Sequence, residues 1–198
     1  MAVLNQVFSL NHSCHYEDPL CLRKTQQAIH LATQHLNPGG CRELVFLCIG
    51  TDRATGDCLG PLVGTRLLSL YPKANVYGTL AEPTHAQNIS DVVWDINRRH
   101  EKPLIIAVDA CLGQMDRVGY INVRSGSLKP GTALKKDLPA VGDFHLSGVV
   151  NMGGFLDQMV LQNTRLYVVY QMADTIARSI FMCLGRQRKD DELFTYKA

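Results

Sequence analysis

Three things are scarce in this chain: net charge, cysteines spaced in pairs, and long apolar runs. With a net charge of +2 and 19% charged residues over 198 positions, it lacks the basic face that nucleic acid requires. Acidic and membrane partners gain no support either. The seven cysteines are an odd number, and no two stand as C-x-x-C, which argues against a zinc ribbon or a thioredoxin-like site. Cys48 in an apolar strand and Cys183 on an apolar helix face read as small core residues, and reduced thiols fit a cytoplasmic compartment. The N-terminal residues lack the charged start and apolar core of a signal peptide. No apolar segment approaches the roughly 18 residues that span a bilayer. Without repeats or low-complexity linkers, residues 1–198 read as one domain, large enough to bury a core without staples. Residues 1–19 form an irregular N-terminal arm in this reading. Residues 187–198 are a solvated tail whose charges cancel.

What is present is an alternation of strand and helix. Leu20 to Leu36 reads as an amphipathic helix, stopped by Asn37-Pro38-Gly39-Gly40. Strands are expected at 43–49, 74–78, 103–109, 118–124 and 165–170. Helices are expected at 60–71, 85–100, 147–161 and 173–186. This pattern predicts an α/β fold, a three-layer α/β/α sandwich around a mostly parallel or mixed central sheet. The link after Asp109 is too short for a helical crossover, which points to an antiparallel strand at 118–124.

The most informative stretch runs from Ile49 to Pro61. An apolar strand, Leu44 to Ile49, feeds a Gly- and Asp-rich loop that opens a helix, which is how α/β proteins present reactive groups at the carboxyl edge of a sheet. A second apolar strand, Leu104 to Val108, ends on Asp109 in the same manner. If these strands are neighbours, Asp57 and Asp109 converge on one crevice, suiting hydrolytic acid/base chemistry or a metal site. A nucleotide fits poorly. The glycines match neither phosphate-binding fingerprint, and Asp52 and Asp57 put negative charge where a pyrophosphate would sit. Asp57 is alternatively a helix N-terminal acid. His145, within Asp143-Phe144-His145-Leu146-Ser147-Gly148, is expected where the 147–161 helix starts, on the same edge as the acids. Glu82-Pro83-Thr84-His85 also falls on that edge, with Thr84 read as a helix cap. Cys58 and Cys111 each follow a key aspartate, but neighbouring carboxylates oppose a thiolate.

The Gly50-Thr51-Asp52-Arg53-Ala54-Thr55-Gly56-Asp57 loop resembles that of the YyaC-type sporulation protein family, with similarity over roughly residues 20–186. That family is related to the germination protease and hydrogenase-maturation protease superfamily. The Asp57-Cys58-Leu59-Gly60-Pro61 element resembles the germination protease. Val108-Asp109-Ala110 resembles the second acidic motif of both groups. Asp143-x-His145-x-x-Gly148 resembles the histidine motif of the hydrogenase-maturation enzymes, whose loop carries Asn at Thr51 and Glu at Asp57. The resemblance implies an endopeptidase fold with Asp57 and Asp109 as the acidic pair. It also implies a protein or peptide substrate made during sporulation, and a cytoplasmic setting in the forespore or spore core.

Three functional readings stand open. In metal-free hydrolysis, no cofactor is required. One carboxylate draws a proton from water while the other, still protonated, polarises the scissile carbonyl. Gly50, Thr51 and Gly56 then admit the substrate backbone or donate amides to the oxyanion, and Asp52 and Arg53 flank the substrate. In a second reading Asp57, Asp109 and His145 hold a divalent ion, nickel or zinc. In the third the chain binds peptides on the same fold without cleaving them.

Overall fold

The computed structural model describes residues 9–130 and 139–195, with side chains of the last helix described as far as residue 185. Its centre is a six-stranded mixed sheet in the order β1-β5-β6-β4-β2-β3. The strands are β1 (Asn11–His15), β2 (Leu44–Cys48), β3 (Asn75–Tyr77), β4 (Leu104–Gly113), β5 (Tyr120–Ser125) and β6 (Phe144–Met152). The helices are α1 (Cys21–Leu36), α2 (Leu59–Leu70), α3 (Ile89–Arg99), α4 (Asp157–Gln162) and α5 (Leu166–Thr195). β2, β3, β4 and β6 run parallel, and β5 and β1 are antiparallel to their neighbours. The antiparallel expectation for the strand near 118–124 is met.

Side-chain alternation along the strands divides the core into two layers. Phe46, Cys48, Ile106, Val108, Phe144 and Leu146 pack with α1, α2 and α5. Val45, Leu47, Ile49 and Ala107 face the other way, against Ile89 and Ile96 of α3. The three-layer α/β/α arrangement follows, and its central strands are apolar on both faces, as parallel sheets require. No helix among the described residues is long and apolar enough to cross a membrane.

Four expectations are corrected. The helix expected at 147–161 is instead strand β6, followed after a short loop by α4. Pairing with β4 on one side and β5 on the other holds that segment extended, and Gly148 lets it pass under α2 and α5, where a Cβ would stand 2.5 Å from Leu59 and 2.7 Å from Met172. The strand expected at 165–170 is the start of α5. Val169, Met172, Ala173, Ile176, Ala177 and Ile180 are all buried, a three-and-four spacing that carries the β-branched Val168-Val169 pair into the helix. The arm is not irregular throughout, since Asn11–His15 is an edge strand on β5; residues 1–8 lie outside the described set. At the other end the last helix, expected to stop at 186, continues to Thr195, and residues 196–198 lie outside the description.

Asp143, from the histidine-motif resemblance, is a structural clamp. Its Oδ1 accepts from Arg42 Nη2 at 2.9 Å and its Oδ2 from the Ile105 backbone N–H at 2.8 Å. Arg42 Nη2 also donates to the Pro103 carbonyl at 2.6 Å. The expected result for Asp143→Ala is a loss of ~1–3 kcal/mol in denaturant unfolding, because a half-buried guanidinium and an N–H lose their acceptor.

Candidate active site at the carboxyl edge of the sheet

β2 and β4 pair in register up to Cys48 and Val108. The Ile49 N–H then donates to the Val108 carbonyl at 2.7 Å. Asp109 therefore sits where β4 continues and β2 gives way to its loop. That loop folds back through a 3-10 turn at Thr55–Cys58 into α2, bringing Asp57 to the same edge. The chain crosses so closely that glycine is obligatory at two points. A Cβ on Gly50, whose φ is +137°, would stand 1.9 Å from the Asp57 carbonyl oxygen, and one on Gly60 would stand 2.1 Å from that of Ile49.

These contacts revise the expected roles of the loop residues. The Gly50 N–H donates to the Thr84 carbonyl at 2.8 Å and the Thr51 N–H to the Asp57 carbonyl at 3.2 Å. Neither amide is available to an oxyanion. Gly56 is buried against α4 and Thr164, where a Cβ would meet Leu161 and Thr164 at 2.8 Å. The close approaches these glycines permit are made by the chain itself, and they fix Asp57. Asp52 and Arg53 are exposed at the loop tip, where the Arg53 N–H donates to Thr51 Oγ1 at 3.3 Å.

The two carboxyls share one electrostatic environment. Burial, at 7% exposure, and then the negative charge of Asp57 push the Asp109 carboxyl well above the usual carboxylate range. The Ala110 N–H, 2.8 Å from Oδ1, opposes them. Burial also raises Asp57, against the Thr51 backbone N–H and the charge of His85. The structure thus brings Asp57 and Asp109 together, and the imidazole acting on Asp57 belongs to His85.

His145 stands elsewhere. It is the second residue of β6, opposite Ala107 of β4 and Arg124 of β5, with Nδ1 2.9 Å from the Gly126 carbonyl. Being in a strand, it is two residues before Ser147, the true neighbour of Asp109. Among the described residues no three His, Cys, Asp or Glu side chains converge as a metal ion needs. The Asp57, Asp109 and His145 set therefore does not fit a nickel or zinc centre.

His85 was legible only in part. Thr84 was expected to cap a helix at 85, but α3 begins at Ile89. Thr84 instead forms a parallel bridge with Ile49, which draws the next residue to the acid pair. His85 is then held by its own turn: its N–H donates to Asn88 Oδ1 at 2.8 Å, and its Nδ1 accepts from the Gln87 N–H at 3.3 Å. The cysteines are poor nucleophiles. Cys58 donates to the Thr55 carbonyl at 2.9 Å, and burial with the nearby aspartates pushes its thiol up to about 11. Burial raises Cys111 as well.

A row that the sequence did not disclose crosses the sheet to Asp109. Ser13, Asn122, Ser147 and Asp109 are consecutive register partners on β1, β5, β6 and β4. Arg117 Nη2 donates to Ser13 Oγ at 2.6 Å, and Ser13 Oγ donates to Asn122 Oδ1 at 2.7 Å. Asn122 Nδ2 donates to Ser147 Oγ at 3.4 Å.

Comparison with known proteins gives the following matches. The Bacillus subtilis (strain 168) protein described as "Uncharacterized protein YyaC" is 47% identical over 151 residues, 76% of this chain and 74% of that protein. A solved structure, the NiFe hydrogenase maturation protease HycI from Thermococcus kodakarensis KOD1, aligns over 79% of this chain and 98% of its own. The TM-score is 0.49 and the identity 16%. Residues 13–179 match the family described as "Protein of unknown function (DUF1256)", and the chain belongs to that family.

Proposed function

We propose that the chain is an endopeptidase that hydrolyses peptide bonds with Asp57 and Asp109. The observation carrying this reading is the pair of carboxyls at one sheet edge, both raised by burial and Asp109 further by the Asp57 charge. Asp109, more deeply buried and facing the Asp57 charge, keeps its proton. Asp57, supported by the Thr51 N–H and His85, is the partner that ionises. The Asp57 carboxylate takes a proton from water as that water attacks the scissile carbonyl carbon, and the Asp109 carboxyl hydrogen-bonds the developing oxyanion. Collapse of the tetrahedral intermediate breaks the C–N bond, and the proton gained by Asp57 passes to the departing amine. No metal enters this sequence. The substrate class, a protein of the spore or of sporulation, is drawn from the loop resemblance.

The test is N-terminal labelling mass spectrometry of a spore extract incubated with wild type or with Asp57→Asn. New termini with wild type alone are expected; identical sets of termini would remove the reading. A companion result separates the two histidines. His85→Ala lowers kcat/KM by about tenfold or more. It also moves the acid limb of the pH profile upward, since Asp57 loses a group that favours its ionised form. His145→Ala leaves both readouts unchanged, and the reverse pattern would return the role to His145.

A further inference from the structure

Side-chain alternation gives the sheet two unequal faces. Cys14, Ile121, Val123, Leu146 and Val108 point into the layer built with α1, α2, α4 and α5, so Ser13, Asn122, Ser147 and Asp109 point to the opposite face. On that face α3 packs over Val45, Leu47, Ile49 and Ala107 of the β2 and β4 region. The β6, β5 and β1 part is left without a helix among the described residues, and its side chains there are polar: Arg124 and Asn122, His145 and Ser147, and Ser13. An antiparallel half-sheet is polar where one side meets water.

This polar face runs without a break to the acid pair. Asn122, Ser147 and Asp109 are consecutive register partners, and Arg124, His145 and Ala107 form the next row on the same side. Arg124 is exposed and has no carboxylate partner among the described residues, whereas Arg42, Arg66 and Arg99 are each paired with one. The Cys111 thiol, raised chiefly by burial, is also acted on by Asp109, which opposes its ionisation, and by Arg124, which favours it. The guanidinium and the acid thus lie within range of one side chain. At the β1 margin Arg117 adds a second cation, fixed over the Tyr120 ring at 3.9 Å and on Ser13 Oγ at 2.6 Å.

The chemistry complementing this arrangement is a carboxylate held away from the acids, with neutral groups beside them. We infer that Arg124 anchors an acidic side chain of the substrate as its chain crosses the polar face from β5 to the acid pair. This rests on the peptidase reading and narrows its substrate class to segments with Asp or Glu at a set distance from the cleaved bond. Arg124 stands two strand spacings across from Asp109 and two residues along, about 12 Å between main chains. An extended segment covers that span in roughly three to four residues. Nearer the scissile bond a carboxylate meets the charge of Asp57 and is disfavoured. Arg124 therefore selects by position as well as by charge.

The experiment uses the full chain and a random peptide library, amidated at the carboxyl terminus, in which each member carries one Glu, Gln or Lys. Products are sequenced by mass spectrometry for wild type, Arg124→Gln and Arg124→Glu. With wild type, Glu is enriched over Gln about two- to fivefold at roughly three to four residues from the cleaved bond, and depleted next to it. Arg124→Gln loses the enrichment, and Arg124→Glu transfers it to Lys. Members carrying Gln are cleaved equally by all three proteins. Binding of fluorescein-labelled Glu and Gln sets is measured separately in Asp109→Asn protein, with and without Arg124→Gln. Cleavage with no enrichment, or with one that survives Arg124→Gln, overturns the anchor and leaves the peptidase reading intact. Arg124-dependent binding without cleavage keeps the anchor and overturns the peptidase reading. Absence of both removes both. Enrichment confined to a parallel set with free terminal carboxyls assigns Arg124 to a chain end and overturns the internal acid.

Discussion

Asp109→Asn and Asp57→Asn are each expected to lower kcat by about 10²–10⁴-fold. An amide matches the shape of the carboxyl but can neither take up a proton nor release one. The double variant falls little further, because groups that act as a unit are not additive. In wild type one carboxyl must be ionised and the other protonated. Activity therefore drops at low pH as the pair becomes doubly protonated, and at high pH as it becomes doubly ionised. Both groups are raised by burial, and Asp109 further by the Asp57 charge, so the bell lies above the ordinary carboxylate range. The two limbs belong to the pair and not to either residue.

The same shifts reverse the usual link between acid and unfolding. A carboxyl whose folded pKa is raised adds stability that is fully present below its unfolded pKa, near 4. That contribution is lost as pH rises through the folded value. Asp109→Asn is thus expected to melt above wild type at neutral pH, by ~2–4 °C for each kcal/mol gained, and level with it in acid. A variant that loses turnover while gaining Tm identifies Asp109 as a functional group held against the interest of the fold. Equal loss of both would mark it as structural.

Gly60→Ala is expected to produce a large stability loss. The new Cβ would stand 2.1 Å from the Ile49 carbonyl oxygen and 2.6 Å from its nitrogen. Both are backbone atoms at the end of a central strand and cannot swing aside. A loss of about 3 kcal/mol or more is expected in denaturant melts, a large part of the ~5–15 kcal/mol that holds a domain together. Gly39→Ala is the control. Nothing lies within 4 Å of its Cβ, and the expected change is within about 0.5 kcal/mol. Equal melting of Gly60→Ala and wild type would show that the loop does not pack as described.

The acid pair was legible because Asp109 directly ends one apolar run and Asp57 lies in the loop that follows another, and such runs reveal both the strand and the edge at which it stops. The histidine was not. The helix expected at 147–161 overlaps what is strand β6, and pairing with β4 on one side and β5 on the other moves His145 off the edge. His85 was obscured because Thr84 resembles a cap, while its actual role, a bridge to Ile49, depends on a strand some 35 positions earlier in the chain. The early start of α5 was hidden by Val168 and Val169, residues that favour strands until the spacing of Met172 and Ile176 is weighed with them. The row from Ser13 to Asp109 depends wholly on register between strands, which no local pattern encodes.

That row has a polarity. Arg117 donates inward, Ser13 passes a hydrogen to Asn122, and Asn122 passes one to Ser147. Every dipole in the file points the same way, leaving the last hydroxyl hydrogen for the β4 side, where Asp109 and Cys111 stand. Sheets have almost no macroscopic dipole of their own, because strand dipoles cancel. This one has assembled a transverse dipole from side chains, at right angles to its strands, with a guanidinium at the rim and its last hydroxyl at Cys111, beside the buried acid.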